Sequence, residues 1–66
     1  MKNNLKVERA IKSITQEELA KKIGVTRQAI NSIELKKFVP STILAIKLSE
    51  YFNKSVNEIF FLEDTD

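Results

Sequence analysis

The sequence predicts an all-α fold, a compact five-helix domain, and three observations lead to it. Glycine and proline occur once each in 66 residues, so chain breakers are scarce and helices must be delimited by caps. Capping residues stand at Thr15, Thr26, Ser41 and Ser55, each at the start of a segment with apolar residues at helical spacing. Those apolar residues recur three and four positions apart, the period of a helix and not of a strand.

Val7, Ala10, Ile11 and Ile14 place an apolar stripe on a first helix starting near Asn4. Thr15 opens the second helix with a capping box, because Glu18 lies three residues on and can return a bond to the Thr15 amide. Ile14 and Leu19 flank that cap at hydrophobic-staple positions. The second helix ends at Gly24, where a left-handed terminus favours a residue without a side chain. Thr26 caps a third helix running to about Leu35, with Val25 and Ile30 again at staple positions. Residues 36–40 form a loop closed by Pro40, and Ser41 caps a fourth helix reaching Phe52. Ser55 with Glu58 repeats the capping-box pattern over a short fifth helix, Val56 to about Phe60. At the two ends, Asn3 and Asn4 could pair with Phe60 to Glu63 as short strands, or the tail could be a frayed helix end.

The length gives one domain, residues 1–66, in which core burial leaves a thin stability margin, so support from a partner subunit is expected. The chain has no cysteine, which fits a reducing compartment. No stretch has the apolar length to cross a bilayer, and Met1-Lys2-Asn3-Asn4 lacks the apolar run of a signal peptide. A cytoplasmic location is the expectation. Net charge is +2, unevenly spread. Residues 1–40 hold nine Lys and Arg against four Glu, a balance of +5, and residues 41–66 hold two Lys against five acids, a balance of −3. A basic front and acidic back suit a molecule presenting one side to a polyanion, although helices also solvate themselves with Lys and Glu. With no His, no Cys and no acidic cluster on one helix face, the chain offers no general base near neutral pH, no thiol nucleophile and no transition-metal site. Catalysis, metals and cofactors are therefore not expected, nor can a small-effector pocket be inferred.

The informative segment is Gln16 to Glu34. Two short helices meet across a turn, a helix-turn-helix over residues 16–35, and their close crossing requires the small side chain of Ala20. Leu19, Ile23, Val25, Ile30 and Ile33 face inward, and Gly24 permits the tight turn. Opposite Ile30 and Ile33, the third helix carries Gln28, Asn31 and Ser32, with Arg27 on the flank of its first turn. Singly these are ordinary solvated residues. In this frame they suit base edges, since amides pair with adenine and guanidinium with guanine.

These residues carry a resemblance. Thr15-Gln16-Glu17-Glu18-Leu19-Ala20, Gly24-Val25-Thr26-Arg27-Gln28, Ile30-Asn31, Ile33-Glu34 and Pro40-Ser41 resemble the lambda-repressor and Cro type of helix-turn-helix regulators, the Xre family, and are nearest its short stand-alone members. The resemblance spans Leu5 to about Phe60 and implies a five-helix domain that binds double-stranded DNA at a near-palindromic operator, generally as a homodimer, and regulates transcription, most simply as a repressor. It implies base contacts from Arg27, Gln28, Asn31 and Ser32 on a recognition helix, 27–35, lying in the major groove. It implies phosphate contacts from Gln16, Thr26, Lys36 and Lys37, with Lys37 the backbone clamp. Arg9 and Glu34 match a family pair tying the first helix to the third. Three positions depart from the pattern: Lys36 stands where many relatives carry Gly or Asn at a helix end that favours positive φ, Thr42 replaces a commonly aliphatic residue, and Val39 a commonly polar one.

Core packing is expected from Leu44, Ala45, Leu48 and Phe52 within one arc of the fourth helix, leaving Ile43 and Ile46 outside it. With Ile59, Phe60, Phe61 and Leu62 they make more apolar surface than so small a domain needs to expose. The expectation is a two-fold dimer interface over Ser55 to Leu62, built on those four residues. The alternative folds Phe60 and Leu62 back onto the first helix as core. A rival function, an antitoxin-like interaction module with DNA binding secondary, calls for an added partner-binding tail, and only Glu63 to Asp66 is spare.

Overall fold

Three of the predicted caps bond as expected in the computed structural model, which describes residues 1–66. Thr15 Oγ1 accepts from the Glu18 N–H at 3.0 Å, Thr26 Oγ1 from Ala29 at 3.1 Å and Ser41 Oγ from Leu44 at 3.1 Å. Each satisfies a backbone donor that the first turn of a helix leaves without an internal partner. The elements run β1 (Lys2–Asn3), α1 (Leu5–Lys12), α2 (Gln16–Ile23), α3 (Arg27–Glu34), α4 (Thr42–Phe52), α5 (Val56–Ile59) and β2 (Phe60–Phe61). The Thr15 capping box is complete, its Glu18 carboxylate accepting from the Thr15 N–H at 2.9 Å. At Ser55 only the return half forms: Glu58 Oε1 accepts from the Ser55 N–H and from its hydroxyl, each at 3.1 Å.

The two ends pair as strands. β1 and β2 are antiparallel, with Lys2 opposite Phe61 and Asn3 opposite Phe60. Next to this ladder, the Asn4 N–H donates to the Ile59 carbonyl at 2.8 Å. Asn3 does the capping at the start of α1, its Oδ1 accepting from the Leu5 N–H at 3.1 Å while its Nδ2 donates to the Ile33 carbonyl at 2.8 Å. One side chain thus anchors the terminal sheet, α1 and the end of α3.

Eleven apolar residues form the core: Leu5, Leu19, Ala20, Ile23, Ile30, Ile33, Leu44, Leu48, Phe52, Ile59 and Phe60. The inward set expected of the helix-turn-helix is there, with Val25 and Ala45 half-buried against it. α2 packs on both α3 and α4. Gly24 ends α2 at φ +86° and Lys36 follows α3 at φ +63°, so the left-handed turn expected at Lys36 is present.

Two expectations are corrected. The stripe of Val7, Ala10 and Ile11 does not face the core. Those residues are exposed, Ile11 to 67 %, and α1 instead buries Leu5 and Glu8. An amphipathic helix ordinarily turns its apolar stripe inward. Here polar ties on the other face decide the rotation: Glu8 meets Lys54, Arg9 meets Glu34, and Lys12 lies 5.0 Å from the centre of the Tyr51 ring. The second correction concerns the expected dimer surface. Ile59 is fully buried and Phe60 is 6 % exposed in the chain's own core, so neither is available to a partner. Strand pairing with β1 fixes this, because successive residues of β2 point to opposite faces. Phe60 turns in and Phe61 turns out, while Leu62, placed in the core by the alternative reading, is 80 % exposed.

Candidate nucleic-acid interface

α3 is positioned by what lies beneath it. Ile30 and Ile33 are buried against α2, where Ala20 leaves room for the crossing. This turns the opposite side outward, leaving Arg27, Gln28 and Asn31 exposed and Ser32 half-buried. At the Thr26 end the Ala29 N–H is taken by the Thr26 hydroxyl, while the other first-turn N–H groups lack helical partners by geometry and helix geometry concentrates positive potential there.

Two open clefts flank this ridge. The first, about 330 Å³, is lined by Thr26, Gln28, Ala29, Ser32, Lys37 and Phe38. It gathers four of the residues singled out from the sequence onto one side of α3. The second, about 400 Å³, is lined by Arg9, Ile14, Thr15, Gln16, Glu17 and Arg27, and joins Gln16 to Arg27 across the gap between α2 and α3. Asn31 lines neither cleft. Phe38, half exposed beside Lys37, was not singled out in the sequence. An aromatic residue in a loop between a lysine pair and the only proline was the available signal.

The two loop lysines differ in their surroundings. Lys36 Nζ lies 3.7 Å from Glu63 Oε1 of the C-terminal tail. Lys37 has no ion pair and lines the first cleft, so it is the freer cation of the two. Near Glu63, the Met1 ammonium lies 3.3 Å from Asp66. Glu63 and Asp66 of the tail are thereby paired close to the sheet.

Behind the second cleft runs a hydrogen-bonded relay. Arg9 donates from Nε to Glu34 Oε2 at 2.6 Å, from Nη2 to Glu34 Oε1 at 2.9 Å and from Nη1 to the Ile14 carbonyl at 3.1 Å. The hydrogen bonds to Glu34 raise the Arg9 guanidinium further above its ordinary value, against the desolvation that would lower it. Glu34 is almost wholly buried and also accepts from Gln16 Nε2 at 3.0 Å. The same nitrogen donates to Asn31 Oδ1 at 3.1 Å. The pair expected between Arg9 and Glu34 is present, and it is tied directly to Gln16 and, through Gln16, to Asn31.

A primary amide nitrogen carries two hydrogens. Both hydrogens of Gln16 are spent inside the protein, so its side chain has no donor left for a phosphate. The Gln16 and Glu17 backbone N–H groups, in the first turn of α2, lack helical partners by geometry and remain suited to that role.

The comparisons with known proteins agree with this architecture. The helix-turn-helix family profile matches residues 5–59. An uncharacterised HTH-type transcriptional regulator of Methanocaldococcus jannaschii is 48% identical over 66 residues, 100% of both chains. The uncharacterised HTH-type transcriptional regulator YgzD of Bacillus subtilis is 41% identical over 64 residues, 97% of each chain. A third relative, an uncharacterised HTH-type transcriptional regulator of Archaeoglobus fulgidus, is 39% identical over 66 residues, covering 100% of this chain and 94% of its own.

Proposed function

The chain belongs to the helix-turn-helix family, of the Xre type, and from that premise we propose that it is a cytoplasmic DNA-binding transcriptional regulator, acting as a repressor by occupying a near-palindromic operator. Membership of this family makes it a regulator and not an enzyme. The observation that carries the reading is α3 standing between two clefts with Arg27, Gln28 and Asn31 exposed. A helix so presented fits the major groove, and the flanking furrows leave room for the two phosphate backbones.

In this reading Arg27 and Gln28 supply sequence preference through guanine and adenine edges, with Asn31 and Ser32 one turn further along. Thr26, Lys36, Lys37 and the first turn of α2 hold phosphates and fix the register. A second copy completes the operator complex. Of the exposed apolar residues, Ile43, Ile46, Phe61 and Leu62 are the ones this reading assigns to it, replacing the surface first expected around Ile59 and Phe60. Two recognition helices would then lie about 34 Å apart, one turn of the duplex.

The test is selection of bound duplexes from a random pool. The expected product is a two-fold site with half-sites about one helical turn apart. Recovery of random sequence would refute sequence-specific binding, and recovery of single half-sites would refute the dimer.

A further inference from the structure

We infer that Gln16 is a positioning residue for base recognition, not a phosphate contact: Arg9, Glu34 and Gln16 fix the polarity of the Asn31 amide so that its donors face the duplex. The inference rests on the reading of α3 as the recognition helix.

The amide groups of Asn and Gln can each be turned end for end, and only their hydrogen-bond partners decide which end is which. The chain of decisions starts at Arg9, whose guanidinium has donors only. It donates to both oxygens of Glu34, at 2.6 and 2.9 Å, so that carboxylate can only accept. Gln16 must therefore turn its NH₂ and not its carbonyl toward Glu34 Oε1, 3.0 Å away. Its second hydrogen then points at Asn31, and the Asn31 atom 3.1 Å away must be the oxygen. Reversing Gln16 would set its carbonyl against the almost wholly buried Glu34 carboxylate, which is costly, and reversing Asn31 would set two NH₂ groups together and forfeit its bond to Gln16.

The outcome appears at the exposed end. Asn31 Oδ1 is held toward α2, and Nδ2 makes no hydrogen bond within the protein and is left as the free group on an exposed side chain. In the major groove guanine offers two acceptors, adenine offers N7 and thymine O4, whereas cytosine offers only its N4 donor. An amide locked with its donors outward accepts a base of the first three kinds and rejects cytosine. The class of ligand at Asn31 is thus a base edge presenting an acceptor.

The test uses the full chain and the duplex it selects from a random pool. The base pair read by Asn31 is located as the one whose preference collapses in Asn31→Ala, and affinity is measured for all four bases there and for a scrambled duplex. Cytosine at that base is expected to bind worst. Gln16→Ala is expected to shrink the discrimination against cytosine by about fivefold or more, the scale of one hydrogen bond, with scrambled DNA bound as by the wild type. In the Asn31→Ala background, Gln16→Ala should change nothing further. Equal weakening on all duplexes, with or without Asn31, is what a phosphate contact gives and overturns the inference. Cytosine as the preferred base overturns it too. Should Gln16→Ala lose helical structure, Gln16→Met keeps the aliphatic stem and carries the same measurement. A wild type that selects no sequence overturns the reading of α3 itself, an outcome distinct from a selective protein with an idle Gln16.

Discussion

The carboxylate of Glu8 accepts from the Lys54 ammonium at 2.9 Å across 46 residues of chain, and the carboxylate is almost wholly buried while the lysine is half exposed. The pair latches α1 onto the turn between α4 and α5. It sits on the face of α1 where an apolar residue would be expected, and it helps explain why Val7 and Ile11 face solvent.

Removing Lys54 should cost more than removing both partners. Lys54→Met leaves a buried carboxylate without its cation and is expected to lower Tm, and Glu8→Leu in the same chain to recover most of the loss, since apolar replacement of a buried pair is often neutral or better. The hydrogen bond from Lys54 to Glu8 raises the lysine above its usual value. The latch therefore contributes fully below the unfolded lysine value and fades as pH rises through the folded one. Thermal unfolding of the two variants decides it, and a double variant no more stable than Lys54→Met would show that the pair carries no penalty when broken.

Gly24 isolates the cost of backbone conformation. At φ +86° a built Cβ meets nothing within 4 Å, so substitution brings strain without any clash. Gly24→Ala should cost about 1–2 kcal/mol, and Gly24→Asn clearly less, because asparagine tolerates the left-handed region. Denaturant unfolding measures both, and equal losses would point to something other than φ.

Much of the molecule can be read from residue types, and the exceptions share one cause. Thr15, Thr26 and Ser41 bond as caps because capping is a local affair of three or four residues. Leu44, Leu48 and Phe52 fall on one helical arc and are buried for the same reason. A helical wheel, however, says which residues share a face without saying which face meets the rest of the chain. That was settled for α1 by Glu8 with Lys54 and Arg9 with Glu34, and for Ile59 and Phe60 by pairing with Lys2 and Asn3. Left-handed positions follow the same rule. Gly24 was legible and Asn53 is at least of a type that tolerates the region, but Ser13 adopts positive φ with no such sign. At the interface, Arg27, Gln28 and Asn31 were readable as an exposed polar face. The spending of both Gln16 hydrogens was not, since it depends on a carboxylate eighteen residues away.

Acid should loosen the helix starts. The Thr15 N–H, with the Thr15 hydroxyl second, holds Glu18 below the usual glutamate range, and the Ser55 N–H with its hydroxyl does the same for Glu58. A carboxylate depressed in the folded state adds stability that is present above its unfolded value, about 4.3, and is lost as pH falls through the folded one. Tm should hold steady from neutral pH to about 5 and decline below it. Glu18→Gln keeps an acceptor for the Thr15 N–H without titrating, so its decline should be shallower. Parallel curves for the two proteins would remove the Thr15 box as a contributor.

Lys36 sets stability against binding at a single position. Its φ of +63° is a conformation that glycine adopts freely and lysine does not. Its ion pair with Glu63, long at 3.7 Å and on a half-exposed lysine, offsets little of that strain. Lys36→Gly is therefore expected to stabilise the fold by about 0.5–1 kcal/mol, the relief of a left-handed side chain less the added freedom of glycine when unfolded. If Lys36 also meets a phosphate, the same variant binds all duplexes more weakly, and the slope of log affinity against log salt falls by about 1. Lys37→Ala, at a position with no ion pair to lose, should give the change in salt slope with Tm unmoved. Chemical denaturation and salt titration of both variants separate the effects. A Lys36→Gly protein that is less stable than the parent would mean that the contact with Glu63 outweighs the strained backbone.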